Sequence, residues 1–175
     1  APLTKVRTAW MDEFEAFPIW YAKEKGWDKE AGLDLEILYF TSGMAILNAL
    51  PSGEWQYAAI GAVPAMMGAL RYNTYVIANA DEEFLINRVL VRPDSPIAKD
   101  YPEVLGSPET VKGKTFLTTT VSSAHYALSV WLRVLGLTEK DIVLKNMDQA
   151  QALSAYEDGI GDGVCLWAPH AYVGE

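Results

Sequence analysis

The sequence contains a single cysteine, Cys165, among its 175 residues. An intrachain disulfide is therefore excluded, and so is a metal site made of several thiolates. Cys165 lies in the apolar run of residues 164–167, which predicts a buried side chain that acts as a small hydrophobic residue. Histidine is also scarce, with two residues in the chain, so no set of convergent metal ligands is expected. We therefore predict no metal and no other cofactor.

Basic residues are few, with 14 Lys and Arg against 23 Asp and Glu, which gives a formal net charge of −9. Such a chain repels phosphate backbones, so nucleic acid is not expected as a partner. The overall charge does not exclude a local site for a small anion, because backbone dipoles act over only a few ångströms.

Long apolar runs are absent from the sequence. The longest uncharged stretch, residues 57–70, is shorter than the roughly 20 residues that span a bilayer, and Pro64 interrupts it. We therefore expect no stable membrane insertion. No signal peptide is visible, but the chain begins with Ala1 rather than methionine, which we interpret as a processed protein whose export signal has been removed.

Strand-like and helix-like segments alternate along the chain, which predicts an α/β fold of mainly parallel sheets with helices on both faces. The predicted strands or extended segments are residues 5–10, 35–40, 57–60, 75–78, 84–91, 115–118, 142–144 and 163–167. The predicted helices include residues 18–25, 43–50, 64–70 and 122–135, and a further helix that is capped by Asp148 and ends at Tyr156. The loop 93–106 is rich in Pro, Ser and charge, so we predict a boundary between two lobes, 1–92 and 93–175.

Two segments combine hydroxyl side chains with the start of a predicted helix. Free backbone N–H groups at a helix start, together with hydroxyls, are suited to binding a small anion. The first candidate site is residues 41–44, with Ser42, Gly43 and Met44 as the candidate binding residues. The second candidate site is residues 118–126, with Thr120, Ser122, Ser123, Ala124 and His125. His125 is interpreted either as a ligand contact or as a structural hydrogen-bonding group.

Aromatic and acidic residues follow several of the predicted strands, where parallel α/β sheets bind ligands. Trp10, Met11 and Phe14 follow the first strand, and Trp167 follows the last. These residues are candidates for apolar contacts with the organic part of an anionic ligand. Core packing accounts for a single tryptophan equally well. Asp81 is the first residue of an acidic turn, where its carboxylate either meets a ligand ammonium group or is merely solvated.

Taken in order, several motifs resemble the periplasmic substrate-binding proteins of ABC transporters, in the branch that handles aliphatic sulfonates, taurine and nitrate. The matching pieces are residues 17–27, 30–36, 42–43, 49–53, 61–64, 90–92, 111–114, 122–128 and 166–169. Two features depart from the family pattern. Val121 stands where family members usually carry a glycine, and the chain is shorter than the family, so we expect it to lack its C-terminal part and the segment that returns to the first lobe.

The resemblance implies a two-lobed type II periplasmic-binding-protein fold that binds a small organic anion, a sulfonate or a taurine-like molecule, in a cleft between lobes that closes by a hinge motion. It adds Gly61 and Ala62 to the ligand-binding residues. It also implies a monomer that is periplasmic or extracellular and associated with the cell surface, that works with an ABC transporter permease, and that is not an enzyme.

Three alternatives remain open at this stage. One is an enzyme of the same fold, such as a menaquinone-pathway lyase, in which Asp81 or His125 would act as a base. Another is a pyrimidine-precursor protein, and a third is a sensor domain.

Overall fold

The computed structural model describes residues 2–99 and 105–175. The chain divides into two compact units, Ala1–Glu82 and Glu83–Glu175. This division differs from the predicted boundary after residue 92, because the strand Arg88–Val91 pairs with a strand of the second unit. The predicted boundary loop contains a short helix at Pro96–Lys99, and its residues 100–104 lie outside the described residues.

The first unit is built on a parallel sheet with strand order β2-β1-β3. The strands are β1 (Thr4–Met11), β2 (Leu33–Phe40) and β3 (Tyr57–Ala58). The helices are α1 (Phe17–Glu24), α2 (Trp27–Glu30), α3 (Gly43–Ala49) and α4 (Ala62–Tyr72). Parallel strands need a crossover between them, so each strand is followed by helix, and the carboxyl ends of the strands lie at one edge of the sheet.

The core of the first unit lies where α3 packs beside the two long strands. Ala9 of β1 and Leu35 of β2 are buried, and so are Ile46 and Leu47 of α3. The indole N–H of Trp55 donates to the Ile46 carbonyl oxygen at 2.9 Å, which fixes the chain that leads into β3. Burial of an aliphatic side chain of this size contributes about 1.5–3 kcal/mol, so this cluster fixes how α3 lies against the sheet.

The prediction of a buried strand at residues 75–78 is wrong. No strand is assigned there, and the side chains of Tyr75, Val76 and Ile77 are 74–84% exposed. The apolar run predicted burial, but a buried strand also needs a hydrogen-bonded neighbour and a covering layer. The sheet of the first unit supplies neither of these to the segment.

The second unit contains a four-stranded sheet with order β4-β7-β5-β6. Its strands are β4 (Arg88–Val91), β5 (Thr115–Thr118), β6 (Val143–Asn146) and β7 (Gly163–Leu166). β5 pairs in parallel with β6 and β7, whereas β4 runs antiparallel to β7. The helices are α5 (Pro96–Lys99), α6 (Pro108–Val111), α7 (Ser123–Val134), α8 (Gln149–Glu157) and α9 (His170–Gly174).

Helix α7 confirms the predicted apolar stripe. Ala124, Leu128 and Leu132 are fully buried, and the i, i+4, i+8 spacing of these residues places them on one helix face. Ser122 caps the helix and Asp148 caps α8, as the sequence predicts. In the part of the chain that the structure describes, no helix is both long enough and apolar enough to cross a bilayer.

Cys165 is fully buried in β7, as predicted, and this burial raises the pKa of its thiol far above the usual range. Because only the thiolate is nucleophilic, we expect the native protein to react with a thiol reagent at least about 100-fold more slowly than the denatured protein. Labelling with a chromogenic disulfide, with and without urea, measures this ratio. Similar rates in the two conditions would show that Cys165 is accessible in the native state.

Candidate functional site

In the first unit, the candidate residues lie along the edge formed by the carboxyl ends of the strands. The register that pairs Met11 with Phe40 brings the end of β1 beside the end of β2, and the first candidate site follows β2 directly. Gly43 packs closely on α4, because a Cβ at this position would lie 2.7 Å from Pro64 Cγ. Gly61 and Ala62, at the start of α4, are therefore near the first candidate site.

The side chains at this edge differ in what they can offer a ligand. Ser42 Oγ accepts the Ala45 N–H at 3.1 Å, so it caps α3. Met11 is buried, whereas Phe14 is exposed over 76% of its surface. The indole N–H of Trp10 donates to Thr8 Oγ1 at 2.7 Å, so a ligand would meet the ring of Trp10 and not its polar atom.

In the second unit, three parallel strands end together at the second candidate site. Thr118, the last residue of β5, is in register with Asn146 of β6 and Cys165 of β7. Residues 119–122 therefore lie beside Asn146 on one side and Trp167 on the other. This register brings the carboxyl ends of β5 and β7, and with them residues 119–122 and Trp167, to one edge of the sheet.

The hydroxyl groups of the second candidate site are bonded to protein acceptors. The Ser122 hydroxyl donates to the Thr119 carbonyl oxygen at 2.6 Å and accepts the His125 N–H at 3.1 Å. The Thr120 hydroxyl donates to Asn146 Oδ1 at 3.0 Å. The Ser123 hydroxyl donates to the carboxylate of Glu83. These hydroxyl groups therefore stabilise the turn, and their protons are already donated to protein acceptors and not to a ligand.

The first two backbone N–H groups of α7 belong to Ser123, which is partly exposed, and to Ala124, which is buried. No hydrogen bond joins them to an acceptor within residues 2–99 and 105–175. The first N–H groups of a helix have no intrahelical partner, and the helix dipole adds a partial positive charge there. At this end of α7 the backbone can therefore donate to an oxyanion.

His125 and Asp81 differ in their surroundings. His125 Nδ1 accepts the Val121 N–H at 3.0 Å, so the imidazole is a structural hydrogen-bonding group in this turn. Asp81 is exposed in the first unit. Two acidic residues contact the second candidate site, Glu83 through Ser123 and Glu139 through His125.

Gln149 lies at the second candidate site and is not among the residues predicted from the sequence. Its buried amide donates to Thr119 Oγ1 at 3.0 Å and to the Cys165 carbonyl oxygen at 3.4 Å, and it accepts the Trp167 N–H at 2.8 Å. It therefore links the loops that follow β5 and β7. The signal was present: Gln149 precedes the buried residues Ala152, Leu153 and Tyr156 at the i, i+3, i+4, i+7 spacing of a buried face.

A family model described as the NMT1-like family matches residues 1–173 of the chain. The chain belongs to the NMT1-like family. A putative ABC transporter periplasmic binding protein of Brachyspira hyodysenteriae is 30% identical to it, over 98% of this NMT1-like chain and 51% of the relative. The taurine-binding periplasmic protein of Escherichia coli is 27% identical, over 81% of the chain and 41% of the relative. The NMT1-like chain thus spans about half the length of the curated relatives it matches.

Solved structures of periplasmic binding proteins share the fold of this NMT1-like chain. The aliphatic sulphonate binding protein SsuA of Escherichia coli matches with a TM-score of 0.71 and 20% identity, over 99% of this chain and 57% of that one. The nitrate-binding protein NrtA of Synechocystis PCC 6803 matches with a TM-score of 0.74 and 17% identity, over 95% of this chain and 47% of that one. The predicted relation to these binding proteins and the predicted α/β fold class are confirmed.

Proposed function

We propose that the chain is part of an extracytoplasmic receptor of an ABC importer and binds a small organic anion, a sulfonate or a taurine-like molecule. The names of its relatives support this class of function, since they are periplasmic and taurine-binding proteins of transport systems. The observation that carries the proposal in this chain is the pair of unbonded N–H groups of Ser123 and Ala124 at the start of α7. They match the negative charge of a sulfonate oxygen.

The proposal includes a location and a partner. The receptor works in the periplasm or at the cell surface as a monomer, and it passes the bound anion to a membrane permease. Its relatives' names describe periplasmic proteins, which supports the location. Trp167 and Trp10, at the ends of their strands, provide apolar contacts for the organic part of the ligand.

An enzyme of the same fold is the weaker alternative, because neither proposed base is placed for proton transfer. His125 Nδ1 already accepts the Val121 N–H. Asp81 is exposed to water and is not enclosed in a site that would orient it towards a substrate. A receptor returns its ligand unchanged, so incubation of the protein with taurine or methanesulfonate should leave the compound intact.

Proline at position 123 tests the anion site directly, because it removes the N–H at the first helical residue without disfavouring the helix. Ser122 before it already has an extended backbone, with φ −130° and ψ 171°, as a residue before proline requires. We expect Ser123→Pro to weaken methanesulfonate binding about tenfold relative to Ser123→Ala, since a hydrogen bond to a charged group contributes about 1.5–3 kcal/mol. NMR titration of the backbone amides measures weak and tight binding alike.

Ser123→Ala is the matched control for this experiment. It removes the same hydroxyl as Ser123→Pro but keeps the backbone donor. Equal affinities for the two variants, or a wild-type titration in which the amides of residues 123 and 124 do not shift, would contradict the proposed anion site.

A further inference from the structure

Val121, in the turn between β5 and α7, has an unfavourable backbone conformation. Its φ is +57°, in the left-handed region. Among the described residues only Asn73 shares this conformation without being glycine, and asparagine tolerates it. Valine does not, because its branched Cβ crowds the backbone, and such a conformation costs about 1–3 kcal/mol. Something in the surrounding structure must hold Val121 there.

The imidazole of His125 makes the contact that opposes this strain. The Val121 N–H donates to His125 Nδ1 at 3.0 Å. The residues on either side of Val121 are bonded as well: the Thr120 N–H donates to Asn146 Oδ1 at 2.9 Å, and the Ser122 hydroxyl donates to the Thr119 carbonyl oxygen. Among the residues that the structure describes, His125 is the one whose side chain hydrogen-bonds to Val121 itself.

His125 is in turn held in place. Its side chain is 18% exposed, and Nε2 lies 3.0 Å from Glu139 Oε1. This approach is an electrostatic contact and not an aligned hydrogen bond. The Ser129 hydroxyl donates to the same carboxylate oxygen at 2.7 Å and to the His125 carbonyl oxygen at 3.1 Å. Because Nδ1 accepts a hydrogen bond, the proton of the neutral ring is on Nε2, facing Glu139.

We propose that His125 is a positioning residue whose Nδ1 holds Val121 in the left-handed conformation and thereby fixes the turn that presents the first N–H groups of α7. His125 therefore does not bind the ligand. Only the last step, the effect on anion binding, rests on the proposed function. The effect on the backbone of residue 121 is independent of it.

Two substitutions of His125 separate the acceptor from the bulk of the ring. In His125→Asn the side-chain oxygen occupies the position of Nδ1 and can still accept the Val121 N–H, whereas His125→Leu offers no acceptor. We expect the backbone chemical shifts of residues 120–123 to leave their wild-type values in His125→Leu and to keep them in His125→Asn. Methanesulfonate affinity should fall about tenfold in His125→Leu and less than about threefold in His125→Asn.

Val121→Gly provides the rescue, since glycine adopts the left-handed conformation without strain. In the double variant Val121→Gly/His125→Leu, the turn no longer needs the imidazole. Its chemical shifts and affinity should therefore stay within about twofold of those of Val121→Gly alone.

The possible results distinguish the two proposals. Unchanged chemical shifts of the turn in His125→Leu would overturn the positioning role. The same holds for a loss of affinity that Val121→Gly does not rescue. A turn that changes in His125→Leu while methanesulfonate binding stays the same would support the positioning role and would contradict the proposed anion site.

Discussion

Replacing Gln149 by glutamate is expected to lower the free energy of unfolding by about 3 kcal/mol at neutral pH, since burial and unfavourable neighbours shift a carboxyl pKa by several units. In the native protein, the side-chain amide of Gln149 donates to Thr119 Oγ1 and to the Cys165 carbonyl oxygen. A carboxylate in the same place has no proton to donate and faces the carbonyl oxygen instead. The fully buried surroundings offer it no water.

This effect should depend on pH in a defined direction. The folded state favours the protonated carboxyl, which can still donate one hydrogen bond, so the pKa of the introduced glutamate is raised above its unfolded value of about 4.3. The destabilisation is absent at pH values below the unfolded pKa, and it grows as the pH rises through that pKa. The difference between variant and wild type should therefore be large near pH 7 and mostly gone near pH 4.

Urea unfolding at both pH values measures the difference, and Gln151→Glu is the matched control. Gln151 is on the same helix but exposed, near the positive end of the helix dipole, so its replacement should change stability by less than about 0.5 kcal/mol. If the two variants were equally stable at neutral pH, Gln149 would not link the two loops as described.

Replacing Glu83 by glutamine is expected to shift ligand preference from taurine towards methanesulfonate by about tenfold or more. The carboxylate of Glu83 accepts the hydroxyl of Ser123, so it lies beside the N–H groups proposed to bind the sulfonate. Two unit charges about 4 Å apart interact by about 4 kcal/mol at an effective dielectric constant of 20, and partial exposure reduces this to about 1–2 kcal/mol. The carboxylate repels a plain anion and attracts the ammonium group of an amino-sulfonate.

Glu82→Gln and Asp81→Asn are the controls, because they remove the same charge from the exposed neighbours of Glu83. Neither should change the ratio of the two affinities by more than about twofold, since exposed charges are well screened. Calorimetric or NMR titration with both ligands gives the ratio. An equal change in the Asp81→Asn variant would assign the ammonium contact to Asp81.

The fold could be predicted where the local pattern and the tertiary environment agree. The apolar spacing and capping serine of α7 predicted its bounds to within one residue, because both signals lie inside the helix. Residues 75–78 show the opposite case, since their apolar run gave no information on whether a neighbouring strand would pair with them. The pairing of β4 with β7 was missed for the same reason, as it joins segments distant in the sequence.

The candidate site was predictable to a similar extent. The sequence indicates separately that residues 120–125 and Trp167 follow strands, and the register of β5 with β7 brings the ends of these strands to one edge of the sheet. The contact between Ser123 and Glu83 spans 40 positions of sequence, so no local pattern could indicate it. The strain at Val121 was predictable only in part: valine disfavours this conformation, but its partner His125 follows from the geometry of the turn.

The position of β7 in its sheet has a consequence for how the second unit forms. Although β7 follows the other three strands of this sheet in the sequence, it lies between β4 and β5. On the ribosome, β4 therefore emerges long before β7, its partner among the described strands, and its hydrogen-bonding groups stay unpaired with β7 until residues 163–166 have been made. The strands described in the first unit lie closer together in the sequence, so their pairing can form earlier. The turn at residues 119–122 follows β5, so we expect it to become ordered only after β7 has paired with β5.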